Sequence, residues 1–244
     1  MSADKPFIVD ACVVMNPAGV ADLVEARLRA LDGRVDLCVV LLHGEAGALK
    51  TDRFQAWSKR LVVATLPAYP DDVADNEWAR DKHLRGTLPG VLKRCAGDKL
   101  RPGDVVMISS EEELPDPRVV RAAAEATANR YGAMSFQQTI YCAQFAWRLR
   151  HAWCGTVVTT VDRLMRHGAQ FFRDGRDGWD AVLDGGACLT GFGRGVTDTA
   201  DDAHRQRASP PEWWPVGYMP DGWFVVSEDD EDEDEVEDDP PLPQ

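Results

Sequence analysis

The stretch that most limits how this chain can fold is Val105-Val-Met-Ile-Ser-Ser-Glu-Glu-Glu-Leu-Pro115. Four consecutive apolar residues do not alternate in the way a half-exposed strand does. A short unbroken run of this kind is expected of a strand covered on both faces, as in the parallel sheets of α/β proteins. Glu111, Glu112 and Glu113 then fall at the carboxyl end of a central strand. That edge is where open α/β sheets bind ligands.

The rest of the chain agrees with this class. Phe7 to Val14 reads as a first strand, interrupted only by Asp10. Asn16-Pro-Ala-Gly19 is a turn, and Val20, Leu23, Val24, Leu28 and Leu31 follow a helical period, with Asp22, Glu25, Arg27 and Arg29 on the other side. Gly33 ends that helix, and Asp36 to Leu42 is a second strand. Strand, helix and strand with short joints make a βαβ unit and a parallel sheet. Further along, a short helix is expected over 54–59, a strand over 61–65, a loop from Pro67, and a helix over 77–95 weakened by Gly86 and Pro89. Asp116-Pro117 reads as the N-cap and first position of a helix reaching about Arg130. Residues 134–141, 145–149 and 156–161 are β-rich with no helix between them, which suggests an antiparallel extension. Asp162 to His167 is a short helix or turn, 173–196 a glycine-rich loop region, and Trp213-Trp214 a pair expected to pack on the core.

The formal charge of −14 would mislead if taken whole, because eleven acids and no base lie between Glu228 and Asp239. The remainder is nearly balanced and offers no basic face for duplex nucleic acid. The expected organisation is therefore a folded unit over 1–226 and a disordered acidic tail over 227–244, able to contact a basic partner. The six cysteines are isolated, with no C-x-x-C pair, which argues against a zinc site and for a reducing compartment. No apolar run approaches the roughly 20 residues of a membrane span, and Asp10 cuts the only candidate leader, so a cytoplasmic protein without membrane contact is expected.

Several segments, in order, resemble the glycosyltransferase family of the bisecting β-1,4-mannosyl-glycoprotein N-acetylglucosaminyltransferase, the family 17 glycosyltransferases. Asp22-Leu-Val-Glu-Ala-Arg-Leu28 is similar to its Asp-Leu-Leu-Glu-x-Arg-Leu helix, and Val35 to Val40 to the strand that follows. Trp78-Ala-Arg-Asp-Lys-His-Leu-Arg85 resembles its Trp-x-Arg-Glu-x-x-Gln-Arg helix. The stretch from Gly103 to Pro115 resembles Gly-Asp-x-x-x-Ile-Ser-Asp-x-Asp-Glu-Ile-Pro. Tyr141, Trp153-Cys-Gly-Thr156 and Gly186-Ala-Cys-Leu-Thr-Gly-Phe-Gly193 fall where the family has a tyrosine strand, Trp-x-Gly-Thr and a glycine-rich loop. The likeness covers about residues 15 to 195.

The resemblance implies a GT-A-like nucleotide-sugar fold, an α/β domain with a mixed, mostly parallel central sheet flanked by helices. It implies inverting transfer of a sugar, such as N-acetylglucosamine, from a UDP-sugar to a hydroxyl of a protein, glycan or modified nucleobase. It also implies a divalent metal, Mn or Mg, at the acidic motif, where Ser110 and Glu112 stand for the family's Asp-x-Asp pair. Serine is a poor replacement for a carboxylate on such an ion. Leu42 and Cys188 likewise stand where the family has a glutamate and a histidine. Asp81 and Glu113 are the expected catalytic carboxylates, with Asp184 a further candidate base. Arg80, Arg85, Trp153 and Cys188 are the expected substrate contacts, and Arg148, Arg150 and Arg163 further phosphate donors. Trp78 is expected in the core rather than on a sugar, and Cys188 to be a buried structural thiol rather than a nucleophile. The alternative function is a binding or interaction protein that keeps the fold and has lost catalysis. A nucleotidyltransferase on a similar fold is a third, weaker reading.

Overall fold

The structure is a computed structural model that describes residues 5–17, 19–142, 145, 147–190, 192, 205–215, 217–220 and 223. The expected acidic tail lies outside the described residues, as does the whole segment from Gly193 to His204. Nine strands form one sheet: β1 (Ile8–Val14), β2 (Leu37–His43), β3 (Leu61–Leu66), β4 (Val105–Ser110), β5 (Glu113–Pro115), β6 (Ala133–Cys142), β7 (Trp147–Thr160), β8 (Asp180–Thr190) and β9 (Arg205–Arg207). Their order is β3-β2-β1-β4-β7-β6-β8-β5, with β9 paired to β7. The first four are mutually parallel. β7 runs antiparallel to β4 and to β6, while β8 returns parallel to β6. The fold is thus α/β with a mixed sheet, and the antiparallel extension expected after residue 133 is present.

β4 holds the middle of the sheet, and its side chains divide between two cores. Val106 and Ile108 pack with Leu84, Leu88, Val91 and Leu92 of α3 (Glu77–Ala96) and with Leu164 and Phe172 of α5 (Val161–His167) and α6 (Ala169–Asp174). Val105 and Met107 face Val120, Ala123 and Ala124 of α4 (Val120–Ala126) on the opposite side. All four are fully buried, each adding about 1.5–3 kcal/mol of hydrophobic stabilisation. α1 (Val20–Ala30) lies against the sheet through Leu23, Val24, Ala26 and Leu28, while α2 (Asp71–Ala74) is a single turn before α3. Trp214 joins Phe145, Phe192 and Trp223 in an aromatic cluster.

Several local expectations are corrected. Residues 52–57 wind as a 3-10 turn, and α3 runs through Gly86 and Pro89 without ending. Residues 147–149 and 156–160 of the two expected segments belong to one 14-residue strand, β7. Asp116 caps a turn, its Oδ1 accepting from Arg118 N at 2.7 Å, and the helix proper starts at Val120. The region expected to be a glycine-rich loop contains α6 and the 11-residue strand β8. Its glycines serve close approach: Gly186 has φ of 142°, and a Cβ there would lie 2.2 Å from the carbonyl oxygen of Leu114 on β5. Arg27 and Glu25, placed on the solvent side of α1 by periodicity, are buried. Trp78, expected in the core, is exposed.

Candidate active site

The strand order reverses beside β4, because β2 and β3 extend from β1 in one direction and β4 lies on its other side. A crevice outside the carboxyl ends of the strands is expected at such a point. There the three successive glutamates go separate ways. Glu111 turns back to the loop after β1, where its carboxylate accepts from Met15 N at 3.3 Å and Asn16 N at 3.1 Å. Glu112 lines a cleft of about 500 Å³. Glu113 is buried and accepts from four donors: Arg173 Nη1 and Nη2 at 2.8 and 2.6 Å, Trp153 Nε1 at 3.0 Å and Ser110 N at 2.9 Å. Burial alone would raise the pKa of Glu113; Arg173, then Arg85, and the indole N–H outweigh it and bring it down to about 2.

α3 supplies the opposite wall. Asp81 and Arg85 are one turn apart, and Arg85 Nε donates to both oxygens of Asp81 at 2.8 and 2.9 Å. Arg85 Nη2 donates to Ser110 Oγ at 2.8 Å. Its Nη1 has no hydrogen-bond partner among the described residues, although the side chain is 2% exposed. Burial and the nearby Arg173 guanidinium both lower the pKa of Arg85. Arg176 completes the basic lining, its guanidinium carbon 4.4 Å from the centre of the Trp153 ring.

Of the eight residues expected from sequence to form the site, Asp81, Arg85, Ser110, Glu112, Glu113, Trp153 and Cys188 line this one cleft. Arg80 does not; its guanidinium lies 6.0 Å from the ring centre of Tyr69. Cys188 is buried, and desolvation followed by the Glu113 charge pushes its thiol pKa up, away from nucleophile chemistry. Arg148, Arg150, Arg163 and Asp184 lie outside the lining. Arg173, Arg176 and His151 are lining residues that the sequence did not single out for the site. The arginines sit in a segment that reads as glycine-rich loop, and nothing in spacing links residue 173 to residue 113.

A second buried network braces the site from behind. Asp10, in the middle of β1 and fully buried, pairs with Arg27 of α1 through Nε and Nη2, both at 2.6 Å. Arg27 Nη1 donates to Glu113 O at 2.6 Å and Nη2 to Ser109 Oγ at 2.5 Å. One guanidinium thus ties β1, β4 and β5 together where the cleft begins. Asp10, the one charged residue inside the apolar first strand, marks one end of this network in the sequence, and nothing in the spacing marks Arg27 as its partner.

The donor set fits a divalent ion poorly. Ser110 Oγ already accepts a guanidinium hydrogen, both oxygens of Glu113 are engaged by Arg173, both of Asp81 by Arg85 Nε, and Glu111 faces backbone N–H groups. Among the described residues no group of three or more His, Cys, Asp or Glu is placed to hold a metal.

Fold and cleft together define an α/β protein with a polar, arginine-lined crevice at the carboxyl edge of its central strand. No protein-family model matches the chain, and no curated protein matches it. Solved structures with some likeness include 4-diphosphocytidyl-2C-methyl-D-erythritol synthase from Anaerococcus prevotii, 7% identical, TM-score 0.43, over 74% of this chain and 88% of that one. Another 4-diphosphocytidyl-2C-methyl-D-erythritol synthase structure is 12% identical at TM-score 0.44, over 82% and 96%. A protein described as a nucleotide-diphospho-sugar transferase from Desulfovibrio desulfuricans is 10% identical at TM-score 0.42, over 78% and 84%. Likeness at this level says nothing about activity, and the strand order given above, not these matches, defines the architecture. No helix among the described residues is long and apolar enough to cross a membrane.

Proposed function

We propose that this protein is a glycosyltransferase that moves a sugar, such as N-acetylglucosamine, from a UDP-sugar to a hydroxyl acceptor with inversion. The observation that carries the reading is Arg85, a buried guanidinium lining the cleft with its Nη1 unpartnered among the described residues and a carboxylate, Asp81, beside it. An unpaired buried donor costs about 1–3 kcal/mol, which an anionic ligand would recover. The motif likeness and the position at the sheet's switch point favour a nucleotide sugar as that ligand.

In this reading the acceptor oxygen attacks the anomeric carbon as the bond to the diphosphate oxygen breaks, and the bonding pair leaves with the diphosphate. The acceptor proton passes to a carboxylate. Asp81, with its side chain 28% exposed at the cleft wall, suits this step better than Glu113, whose pKa near 2 and four donors make it a weak base. Glu113 instead holds Arg173 and Trp153 in place.

Release of UDP from UDP-N-acetylglucosamine tests the proposal. Slow hydrolysis is expected without an acceptor, and D81N should lower the rate by about 100-fold while UDP still binds. Failure to bind any UDP-sugar at millimolar concentration would remove the transferase reading and leave the non-catalytic one.

A further inference from the structure

Resting on the transferase reading, we infer that Arg85 and Arg176 form a metal-free diphosphate site in this cleft, a guanidinium pair taking the place of the divalent ion that an Asp-x-Asp motif would hold.

Three observations converge on it. First, the residue that would be the first aspartate is Ser110, and its Oγ is bound by Arg85 Nη2 at 2.8 Å. The cation next to that oxygen is a side chain, and a divalent ion there would sit against it at a few ångströms, a repulsion strengthened by burial. Second, Arg85 spends Nε on Asp81 and Nη2 on Ser110 and keeps Nη1 unpartnered while nearly fully buried. Arg85 lines the cleft, so a partner for Nη1, itself without accessible surface, would come from there with a small turn of the guanidinium. A phosphate oxygen is such a partner, and guanidinium–phosphate hydrogen bonds are among the strong ones. Third, Arg176 lines the same cleft, steadied by the Trp153 ring and by an Nη1 hydrogen bond to Arg173 O at 3.3 Å, with its Nε also unpartnered among the described residues.

Arg173 plays a different part. Its Nη1 and Nη2 are engaged by Glu113, and Nη1 also by Gly155 O, so it positions the cleft wall rather than grasping a ligand. Its charge nevertheless crowds Arg85, and an arriving anion relieves that repulsion. In glycosyl transfer the breaking bond leaves negative charge on the diphosphate. Two guanidinium groups there would stabilise the leaving group without Lewis-acid help.

The test is calorimetric titration of the full chain with UDP and, separately, with pyrophosphate, each in EDTA and in MnCl₂. The inference predicts that both bind in EDTA, and that UDP binds within about threefold of its affinity in MnCl₂. R176Q, on a partly exposed side chain, should weaken both by about tenfold, and R85Q by more, with R85K intermediate because a single ammonium cannot serve Asp81, Ser110 and a phosphate together. Should R85Q fail to fold, R176Q carries the test alone. UDP binding that appears only with MnCl₂ overturns the metal-free site and leaves the transferase reading standing. Pyrophosphate binding in EDTA with no UDP binding keeps the anion site and removes the nucleotide reading. No binding of either ligand in either buffer overturns both, and binding that R176Q leaves unchanged overturns the assignment of Arg176.

Discussion

The carboxylate of Glu113 is held by four donors in a dry setting, and its pKa of about 2 lies well below the ordinary 4.5. A depressed pKa in the folded state means that the paired charge contributes stability at and above the unfolded pKa. That contribution is lost as pH falls from about 4.5 towards 2. Urea midpoints measured between pH 6 and pH 2 should therefore drop steeply below pH 4.5, and E113Q should flatten that part of the profile. At neutral pH the same variant leaves Arg173 buried without its counter-charge and should lose about 3–5 kcal/mol; an unchanged midpoint would contradict the pairing. Asp10 and Arg27 form a second buried pair, in which removing one charge strands the other. D10A should cost about 3–5 kcal/mol, whereas D10L combined with R27M should recover much of it, because an apolar pair leaves no buried charge behind. Neither pairing was legible in the sequence. Periodicity assigns Arg27 to the polar face of α1, and only the meeting with Asp10 across 17 residues of chain explains why it is buried.

Elements were read best where one physical requirement dominates the residue choice. β4 and β2 are covered on both faces, so their sequences are unbroken apolar runs. The parallel β1-β2 pair with α1 between them followed directly from that pattern. β8 was missed because its residues satisfy a different requirement. Gly185 and Gly186 are there to let Phe136 and the β5 backbone come close, and that composition imitates a loop. G186A would force a Cβ against Leu114 O at a positive φ and should cost a few kcal/mol, read as a lowered thermal midpoint; a neutral substitution would deny that β5 and β8 pair this tightly. α3 carries both Asp81 and Arg85, and its start is fixed by Asn76, whose side chain accepts from Ala79 N at 3.0 Å. N76A should lower stability by about 1 kcal/mol and weaken UDP binding more than an exposed substitution elsewhere, since the turn it frays leads directly to the cleft wall. Equal effects on binding from N76A and from a remote surface change would separate α3 from the site.

The whole molecule joins two kinds of sheet at β4. The parallel half provides the switch point and the end of β4; the antiparallel half provides Ile140, Leu149, Trp153 and Cys188 as the facing wall. α3 and α6 close the sides with Asp81, Arg85 and Arg173. The sequence located this cleft through the glutamates and the helix at Trp78 to Arg85, since both elements contribute to it. It did not locate the contribution of α6 and the turn that follows: Arg173 reaches Glu113, and Arg176 joins the lining, only through tertiary packing. The consequence is a cleft with its own fixed cations, one of them, Arg85, bound to Ser110 Oγ. The most direct measurement is a crystal structure of the full chain with UDP in the presence of EDTA. The account predicts the diphosphate in the cleft, with a phosphate oxygen within hydrogen-bonding distance of Arg85 Nη1. A nucleotide bound elsewhere on the surface, or one seen at Ser110 only when Mn²⁺ is supplied and bridges it to Glu112, would contradict it.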